Sequence, residues 1–365
     1  MQHEITTVRP LLDSRGVLLE PGYSKGLLPQ YSRSAIKGGA LRIKEWDYYL
    51  ITCDDFAVAL TIADNSYMGL DSISLLDFRI PWEHTTSPMS FLTLGKRNFP
   101  SSSASGNVKS GGRHHKISFE HHGDYRLLTF HMDKFFDGKP IDGEIRLENP
   151  PQESMVIVTP FAEKKTAFYL NQKINCMPAS GAVHFDGKTY RFEPGASFAV
   201  LDWGRGVWTY KNTWYWGSAS GLVDGVPFGW NIGYGFGDTS AATENMLFYN
   251  GKAHKLHSVQ FHIPMKRKKY TTHGGCCSGS AGRVVDTADY IEDYLSPWTF
   301  SSDDGRFEMD FVPIIDRAAC TDIKLISSDQ HQVFGRFTGR AVLDDGTVIK
   351  VKDFLGFAEK VCNKW

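Results

Sequence analysis

The sequence has 365 residues, of which 41% are hydrophobic and 22% charged, and its formal net charge is -1. Single hydrophobic cores stop growing near about 250–300 residues, so this length predicts two domains. The balanced charge lacks the basic excess of nucleic-acid-binding proteins, and no uninterrupted apolar run approaches the roughly 18 residues of a membrane-spanning helix. We therefore expect neither a nucleic-acid partner nor a membrane span.

The N-terminus and the cysteines indicate the compartment. Residues 1–10 include Glu4 and Arg9 and lack the apolar segment of a secretory signal. The six cysteines are scattered along a long chain, whereas disulfide frameworks are dense and occur in short secreted domains. We predict a cytoplasmic protein whose cysteines are reduced thiols.

The predicted elements are mostly strands. Aromatic residues make up 13% of the chain and there are 35 glycines, a combination that favours strands and tight turns. Residues 1–30 carry Pro and Gly too often for a helix and are predicted to form an extended N-terminal leader. Residues 31–200 are predicted to form a first β-barrel-like domain, in which 41–52 is a strand and 100–112 is a Ser/Gly-rich loop.

Tight turns predict the hairpins. Asp-Gly and Asn-Gly pairs between alternating apolar runs supply the positive φ angles that type I′ turns need. Four hairpins are predicted, at His122-Gly123, Asp186-Gly187, Asn250-Gly251 and Asp345-Gly346. Because strands do not alternate with helices, the sheets are expected to be antiparallel and to hide their edges by closing into barrels.

Residues 201–365 are predicted to form a second β-barrel-like domain with a surface insertion at 265–294. The basic run 266–269 in this insertion is interpreted as a solvated loop. His273, Cys276 and Cys277 are only part of a zinc ligand set, so no metal is expected. The best helix candidate of the whole chain, 285–295, is short.

The segment 201–245 carries the candidate functional site. It contains five of the nine tryptophans, interleaved with charged and amide side chains. Trp and Tyr provide flat apolar walls, and a few polar groups that converge in an apolar cavity are typical of ligand sites. The candidate catalytic residues are Asp202, Arg205 and Glu244. The candidate ligand-binding residues are Trp203, Tyr210, Trp214, Trp216, Trp230, Asn231, Tyr234 and Asp238.

The same segment has a purely structural interpretation. Trp and Gly also fill barrel interiors, and a buried Asp–Arg pair such as Asp202–Arg205 often fixes loop geometry. Burial of Asp202 favours its protonated form, a proton donor, whereas pairing with Arg205 opposes this.

Gly233, Gly235 and Gly237 do not match a dinucleotide-binding motif and no βαβ unit surrounds them, so no cofactor is expected.

Long motifs in this segment resemble those of the domain of unknown function 2804 family. They are Asp202-Trp-Gly-Arg-Gly-Val-Trp208, Trp214-Tyr-Trp-Gly-Ser-Ala-Ser-Gly221, Asn231-Ile-Gly-Tyr-Gly-Phe-Gly-Asp238, Ala242-Thr-Glu-Asn-Met246 and, near the two ends of the chain, Lys44-Glu-Trp-Asp-Tyr48 and Gly356-Phe-Ala-Glu359. More distantly, the layout resembles the two-domain lipocalin-like proteins that include carotenoid 1,2-hydratases. This resemblance implies two antiparallel lipocalin-like (calycin-like) β-barrel domains packed together, with an apolar cavity, and it does not transfer the hydratase activity.

Three functions remain open. The preferred hypothesis is a barrel cavity that binds a small apolar or amphipathic molecule; if the protein is an enzyme, chemistry of hydratase, isomerase or cyclase type is expected, with Asp202 as acid. The second is a noncatalytic structural or partner-binding protein. The third is a carbohydrate-active enzyme that uses two of Asp202, Asp238, Glu244 and Glu359, which requires carboxyl groups about 5–5.5 Å or 6.5–9.5 Å apart.

Overall fold

Strands dominate the computed structural model, which describes residues 2–267, 290–323 and 326–364. The mostly β prediction is confirmed: helical structure in these residues is limited to the 3-10 turns Arg33–Ala35 and Ala40–Arg42. The strands that precede residue 208 are β1 (Arg9–Pro10), β2 (Gly22–Ser24), β3 (Pro29–Gln30), β4 (Lys44–Thr52), β5 (Phe56–Asp64), β6 (Met68–Asp77), β7 (Trp82–Thr86), β8 (Met89–Phe91), β9 (Val108–Gly111), β10 (His115–His121), β11 (Tyr125–Phe136), β12 (Lys139–Glu148), β13 (Met155–Pro160), β14 (Phe168–Phe185), β15 (Lys188–Phe192) and β16 (Phe198–Val207). The strands that follow are β17 (Lys211–Val223), β18 (Val226–Tyr234), β19 (Met246–Tyr249), β20 (Lys252–Lys255), β21 (Val259–His262), β22 (Met265–Arg267), β23 (Tyr290–Glu292), β24 (Trp298–Ser302), β25 (Phe307–Ile323), β26 (Ile326–Val342) and β27 (Val348–Lys364).

The first large sheet has 14 strands and curls back on itself. Its main path runs β7-β6-β5-β4-β16-β14-β12-β11-β10-β9, with β2, β8, β13 and β15 attached beside it. Alternate side chains, such as Ile51 and Leu170, meet in one hydrophobic core. The far end of the path returns to β6, because Asp71 accepts a hydrogen bond from Ser110 at 2.8 Å and lies 2.9 Å from the imidazole Nε2 of His115.

The second large sheet has nine strands in the order β20-β19-β18-β17-β27-β26-β25-β24-β21. One of its faces encloses an aromatic core centred on Trp230, whose ring lies 5.2–5.4 Å from the rings of Phe307, Phe337 and Phe354. Trp230 is fully buried there. The indole that the sequence analysis assigned to a cavity wall is thus packed among other aromatic rings of the second core.

The chain passes from the first sheet to the second between Val207 and Lys211. The division predicted between residues 200 and 201 falls inside β16, which is hydrogen-bonded within the first sheet. We propose two domains that meet at the 208–210 connection. The N-terminal leader touches both sheets, since β2 pairs with β13 and the His3 amide donates to the Ala241 carbonyl at 2.8 Å.

All four predicted hairpins are confirmed. The strand pairs β10–β11, β14–β15, β19–β20 and β26–β27 are antiparallel and flank the four predicted turns. The φ angles are 50° at Asp186, 71° at Gly187, 48° at Asn250 and 75° at Gly251. Both central residues of these two turns therefore adopt the positive φ of a type I′ turn, whereas at His122-Gly123 and Asp345-Gly346 only the glycine has a positive φ.

The structure describes the predicted insertion only at its two ends. There β22 and β23 pair as an antiparallel ribbon. The helix predicted over 285–295 is wrong at Tyr290–Glu292, because β22 supplies backbone partners that make this segment a strand. Residues 268–289, with His273, Cys276 and Cys277, lie outside the described residues.

Two further findings concern the described residues as a set. Cys53 and Cys176 are free thiols. Within residues 2–267, 290–323 and 326–364, no helix has the length and apolar character needed to cross a membrane.

Candidate functional site

The two faces of β16 separate the residues that the sequence analysis paired. Side chains alternate along a strand, so Asp202 and Arg205, three positions apart, point to opposite faces. The predicted Asp202–Arg205 pair is accordingly absent. Arg205 forms a salt bridge with Asp47 on β4 at 3.0 Å, and Asp202 forms one with Lys173 on β14 at 2.9 Å.

Arg205 lies inside the first sheet, on the same face as Trp203. Its guanidinium is fully buried, donates to the carbonyls of Trp46 and Gly204 at 2.7 and 2.9 Å, and stacks 4.1 Å from the Trp203 ring. Trp203 is itself part of the first hydrophobic core. These contacts hold β16 against β4. The side chains of Arg205 and Trp203 therefore belong to the first core and lie on the opposite face of β16 from the Asp202 side chain.

Asp202 lies on the other face of β16, which meets the second sheet. Across the strands Asp202 is flanked by Tyr48 and Lys173. Its carboxylate also accepts a hydrogen bond from Asn171 at 2.5 Å. The Lys173 ammonium lies 3.6 Å from the ring centre of Trp216 on β17, a cation–π contact that joins the two sheets.

The second sheet contributes a row of three polar side chains to this interface. Trp216, Glu359 and Gln332 are cross-strand neighbours on β17, β27 and β26. Glu359 accepts hydrogen bonds from the Trp214 indole and the Gln332 amide, both at 2.9 Å. Burial raises the pKa of Glu359, while these hydrogen bonds and nearby cations favour its charged form.

Glu244 lies in the connection between β18 and β19 and completes the interface. Asn231 fixes this connection, because its amide donates to the Glu244 carbonyl at 2.7 Å and its side-chain oxygen accepts the Trp216 indole proton at 2.7 Å. Burial raises the pKa of the Glu244 carboxyl to about 7; Asp202 adds to the rise and Lys173 opposes it. The carboxyl group forms no hydrogen bond with the described residues. When it is protonated, its proton is therefore not shared with another side chain. We call Lys173, Asp202, Glu244, Glu359 and Trp216 the intersheet cluster.

Aromatic side chains border the intersheet cluster and form what we call the aromatic wall. Its members are Trp46, Tyr169, Trp208, Trp214 and Phe236, whose neighbouring ring centres lie 4.8–6.3 Å apart. Trp46 and Trp214 are only partly buried. Tyr169 links the wall to the cluster, because burial and the charges of Glu244, Asp202 and Glu359 raise the pKa of its hydroxyl well above 10.0. Charged groups at one end and flat apolar faces at the other suit an amphipathic molecule.

The structure brings five of the eleven candidate residues together, namely Asp202, Trp214, Trp216, Asn231 and Glu244. The other six lie apart from the intersheet cluster. Trp203 and Arg205 are inside the first core, Trp230 and Tyr234 pack in or against the second, and Tyr210 and Asp238 are exposed. Hydrogen bonds from Ser240 lower the pKa of Asp238. Asp238 is exposed, whereas the other three carboxylates of the carbohydrate hypothesis are buried.

Sequence reasoning missed Lys173 and Asn171 and underrated Glu359. A signal for the first two exists in Asn171-Gln-Lys-Ile-Asn175, where Asn171, Lys173 and Asn175 occupy alternate positions and only Ile174 is apolar. Alternate polar positions on a buried strand indicate a polar face that needs partners. Among the described residues, no group of three or more His, Cys, Asp or Glu side chains has an arrangement that could hold a metal ion.

The comparisons with known proteins bear on the family and the fold. A family model described as a domain of unknown function (DUF2804) matches residues 2–365, and no curated protein matches the chain. An AttH-like protein from Nitrosomonas europaea superposes with a TM-score of 0.54 at 12% identity, covering 91% of this chain and 96% of the other. Kievitone hydratase from Nectria haematococca superposes with a TM-score of 0.47 at 11% identity, covering 93% and 95%. At such identities the first likeness shows the fold alone, and the second carries no argument about activity.

Proposed function

The chain belongs to the DUF2804 family, and we propose that it is an acid–base enzyme of hydratase, isomerase or cyclase type. Its substrate is a small amphipathic molecule held between the two sheets. One observation carries the proposal: a buried carboxyl group with a pKa of about 7 and no fixed hydrogen-bond partner in the described chain lies beside a charged pair and an aromatic wall. A general acid or base is most effective when its pKa is near the working pH.

Each group of the site has a role in this proposal. Glu244 donates a proton to the substrate, or removes one. The Lys173–Asp202 pair and Glu359 hold the polar end of the molecule, and the aromatic wall holds its apolar part. A cationic centre that develops on protonation is stabilised by the Asp202 and Glu359 carboxylates.

In this proposal the ligand lies between the sheets and not inside a barrel. Trp203 and Trp230 belong to the two hydrophobic cores, whereas Trp214 and Trp216 face the opposite sheet. The ligand class is unchanged, because aromatic faces next to charged groups still select a molecule with one apolar and one polar part.

The proposal is tested with a panel of small unsaturated and hydroxylated amphipathic molecules. Each is incubated with the protein in isotopically labelled water, and mass spectrometry follows the gain or loss of a water or the uptake of solvent hydrogen. We expect Glu244→Gln to lower turnover of an accepted molecule about 10²–10⁴-fold while binding persists. Glu148→Gln, at a half-exposed surface pair with Arg146, is the matched control and leaves turnover unchanged.

Two results would count against the proposal. Undiminished turnover in Glu244→Gln would remove the acid–base role of this carboxyl. Absence of both turnover and any bound molecule, the latter checked by native mass spectrometry of the wild-type protein, would favour a structural interface.

A further inference from the structure

A second polar site lies inside the first sheet, on the face of β16 opposite to the intersheet cluster. A small enclosed space, with room for about one water molecule, opens beneath the serine-rich segment 100–108. Asp47, Tyr49, His121 and Arg126 line it from the sheet, and serines 102, 103 and 105 line it from the covering segment. The intersheet site does not use any of these residues.

Two hydrogen-bond donors at this space lack acceptors among the residues that the structure describes. His121 and Arg126 are cross-strand partners on β10 and β11, so their side chains lie side by side. Arg126 donates through Nη1 to the Tyr49 hydroxyl at 3.2 Å, and its buried Nε–H has no partner. The Nδ1 atom of His121 accepts from the Gly123 amide at 3.1 Å, which leaves the proton of the neutral ring on Nε2, also buried without a partner.

The charges around the space do not balance. Asp47 is already paired with the buried guanidinium of Arg205, at 3.0 Å. Glu120 also lines the space but forms a salt bridge with Lys109 at 2.6 Å. Arg126, which is 5% exposed, has the Tyr49 hydroxyl as its only acceptor within residues 2–267, 290–323 and 326–364. The Asp47 carboxylate interacts with both guanidiniums, so two buried positive charges share one carboxylate. An acceptor that carries negative charge would satisfy both N–H groups and the second guanidinium.

We propose that this pocket binds a small monovalent anion. The anion accepts hydrogen bonds from Arg126 Nε and His121 Nε2 and neutralises the second guanidinium. The space has about the volume of one water molecule, so a halide ion enters with a small outward shift of the serine-rich segment, and a larger shift admits the carboxylate of a small organic acid. The site is independent of the proposed acid–base function, because it lies on the other face of β16.

The test measures thermal unfolding of the full chain in chloride, bromide, formate and acetate, with gluconate used to keep the ionic strength constant. We expect a saturable rise of Tm in halide for the wild-type protein, since a ligand that binds only the folded state stabilises it. Arg126→Gln and His121→Leu are each expected to weaken the apparent affinity at least tenfold. Arg191→Gln, at an exposed arginine of the same sheet, leaves it unchanged.

A crystal soaked in bromide gives the second measurement, which stands even if Arg126→Gln fails to fold. Anomalous scattering within hydrogen-bond distance of Arg126 and His121 is expected. Formate and acetate that raise Tm as strongly as halide identify an organic carboxylate as the occupant, whereas a response to halides alone identifies the free ion. A wild-type Tm that is insensitive to all four anions, or an anion response equal in both variants, would overturn the proposal.

Discussion

Glu244 shows how the position of one carboxyl group determines its chemistry. The group is 8% exposed and lies beside the Asp202 carboxylate, so both burial and a like charge disfavour ionisation. Lys173 opposes these effects without cancelling them. Nothing in the local sequence Ala242-Thr-Glu-Asn-Met246 distinguishes this residue from the many surface glutamates, because the causes of the shift lie on β14 and β16.

The raised pKa of Glu244 predicts how stability depends on pH. Between pH 4.5 and about 7 the folded state retains a proton that the unfolded state has lost, so the contribution of Glu244 to the free energy of unfolding falls as pH rises through this window. Glu244→Gln removes this loss. We expect the variant to gain on the order of 1–3 kcal/mol relative to the wild type between pH 4.5 and pH 8 in urea unfolding. Parallel stability profiles for the two proteins would contradict the assignment.

The Lys173–Asp202 pair predicts a large effect of removing one buried charge. Lys173→Met preserves the length of the side chain and leaves Asp202 as an uncompensated carboxylate between the sheets. We expect a loss of about 3–5 kcal/mol in chemical denaturation, most of which is recovered in the double variant with Asp202→Asn. The control is Lys139→Met at the exposed Lys139–Asp186 pair, where a change within about 1 kcal/mol is expected. Equal losses at the two pairs would show that the intersheet pair is not desolvated.

At the scale of elements, β16 contributes to both proposed sites. One of its faces borders the intersheet cluster, and the opposite face borders the proposed anion pocket. Gly204 lets the Trp46 ring of the aromatic wall lie directly over the strand, since a Cβ at this position would be 2.0 Å from the Trp46 ring. Gly206 is similarly constrained by the Phe168 carbonyl, at 2.3 Å. The glycines on this face therefore set the position of the wall.

A methyl group at Gly204 is expected to displace Trp46. We expect Gly204→Ala to cost about 1–3 kcal/mol through overpacking, to change the tryptophan fluorescence and to weaken ligand binding at the wall. Gly26→Ala is the control, because a Cβ there meets nothing within 4 Å and its φ is not in the left-handed region. A Gly204→Ala protein with wild-type fluorescence and stability would show that Trp46 is not held over the strand.

The elements were predictable where their causes are local. The Asn250-Gly251 and Asp186-Gly187 turns follow from two adjacent residues, and the same signal at Asp137-Gly138 and Asp224-Gly225 marks two more hairpins. The Asp202–Arg205 pairing failed for an equally local reason, since three positions along a strand reverse the direction of the side chain. The opposite directions of these two side chains can be predicted only once the segment is known to be an uninterrupted strand.

At the scale of the whole molecule, the site exists because two sheets meet. Lys173 and Asp202 come from the first sheet, and Glu244 and Glu359 come from the second sheet or its connections. The sequence identified the segment 201–245 by its density of tryptophan and charge. It could not show which residues share a face with Asp202, because the partners at positions 173 and 359 are brought there by long-range packing of the sheets.

The measurement that tests this account most directly is the titration of Glu244 itself. Carbon NMR of protein labelled at the glutamate carboxyl carbons, with the Glu244 signal identified by its loss in Glu244→Gln, reports the pKa of this one group. The account predicts a midpoint of about 7. A midpoint near the ordinary glutamate value of 4.5 would show that water and counter-charges reach Glu244 freely, and would contradict an acid–base site between the sheets.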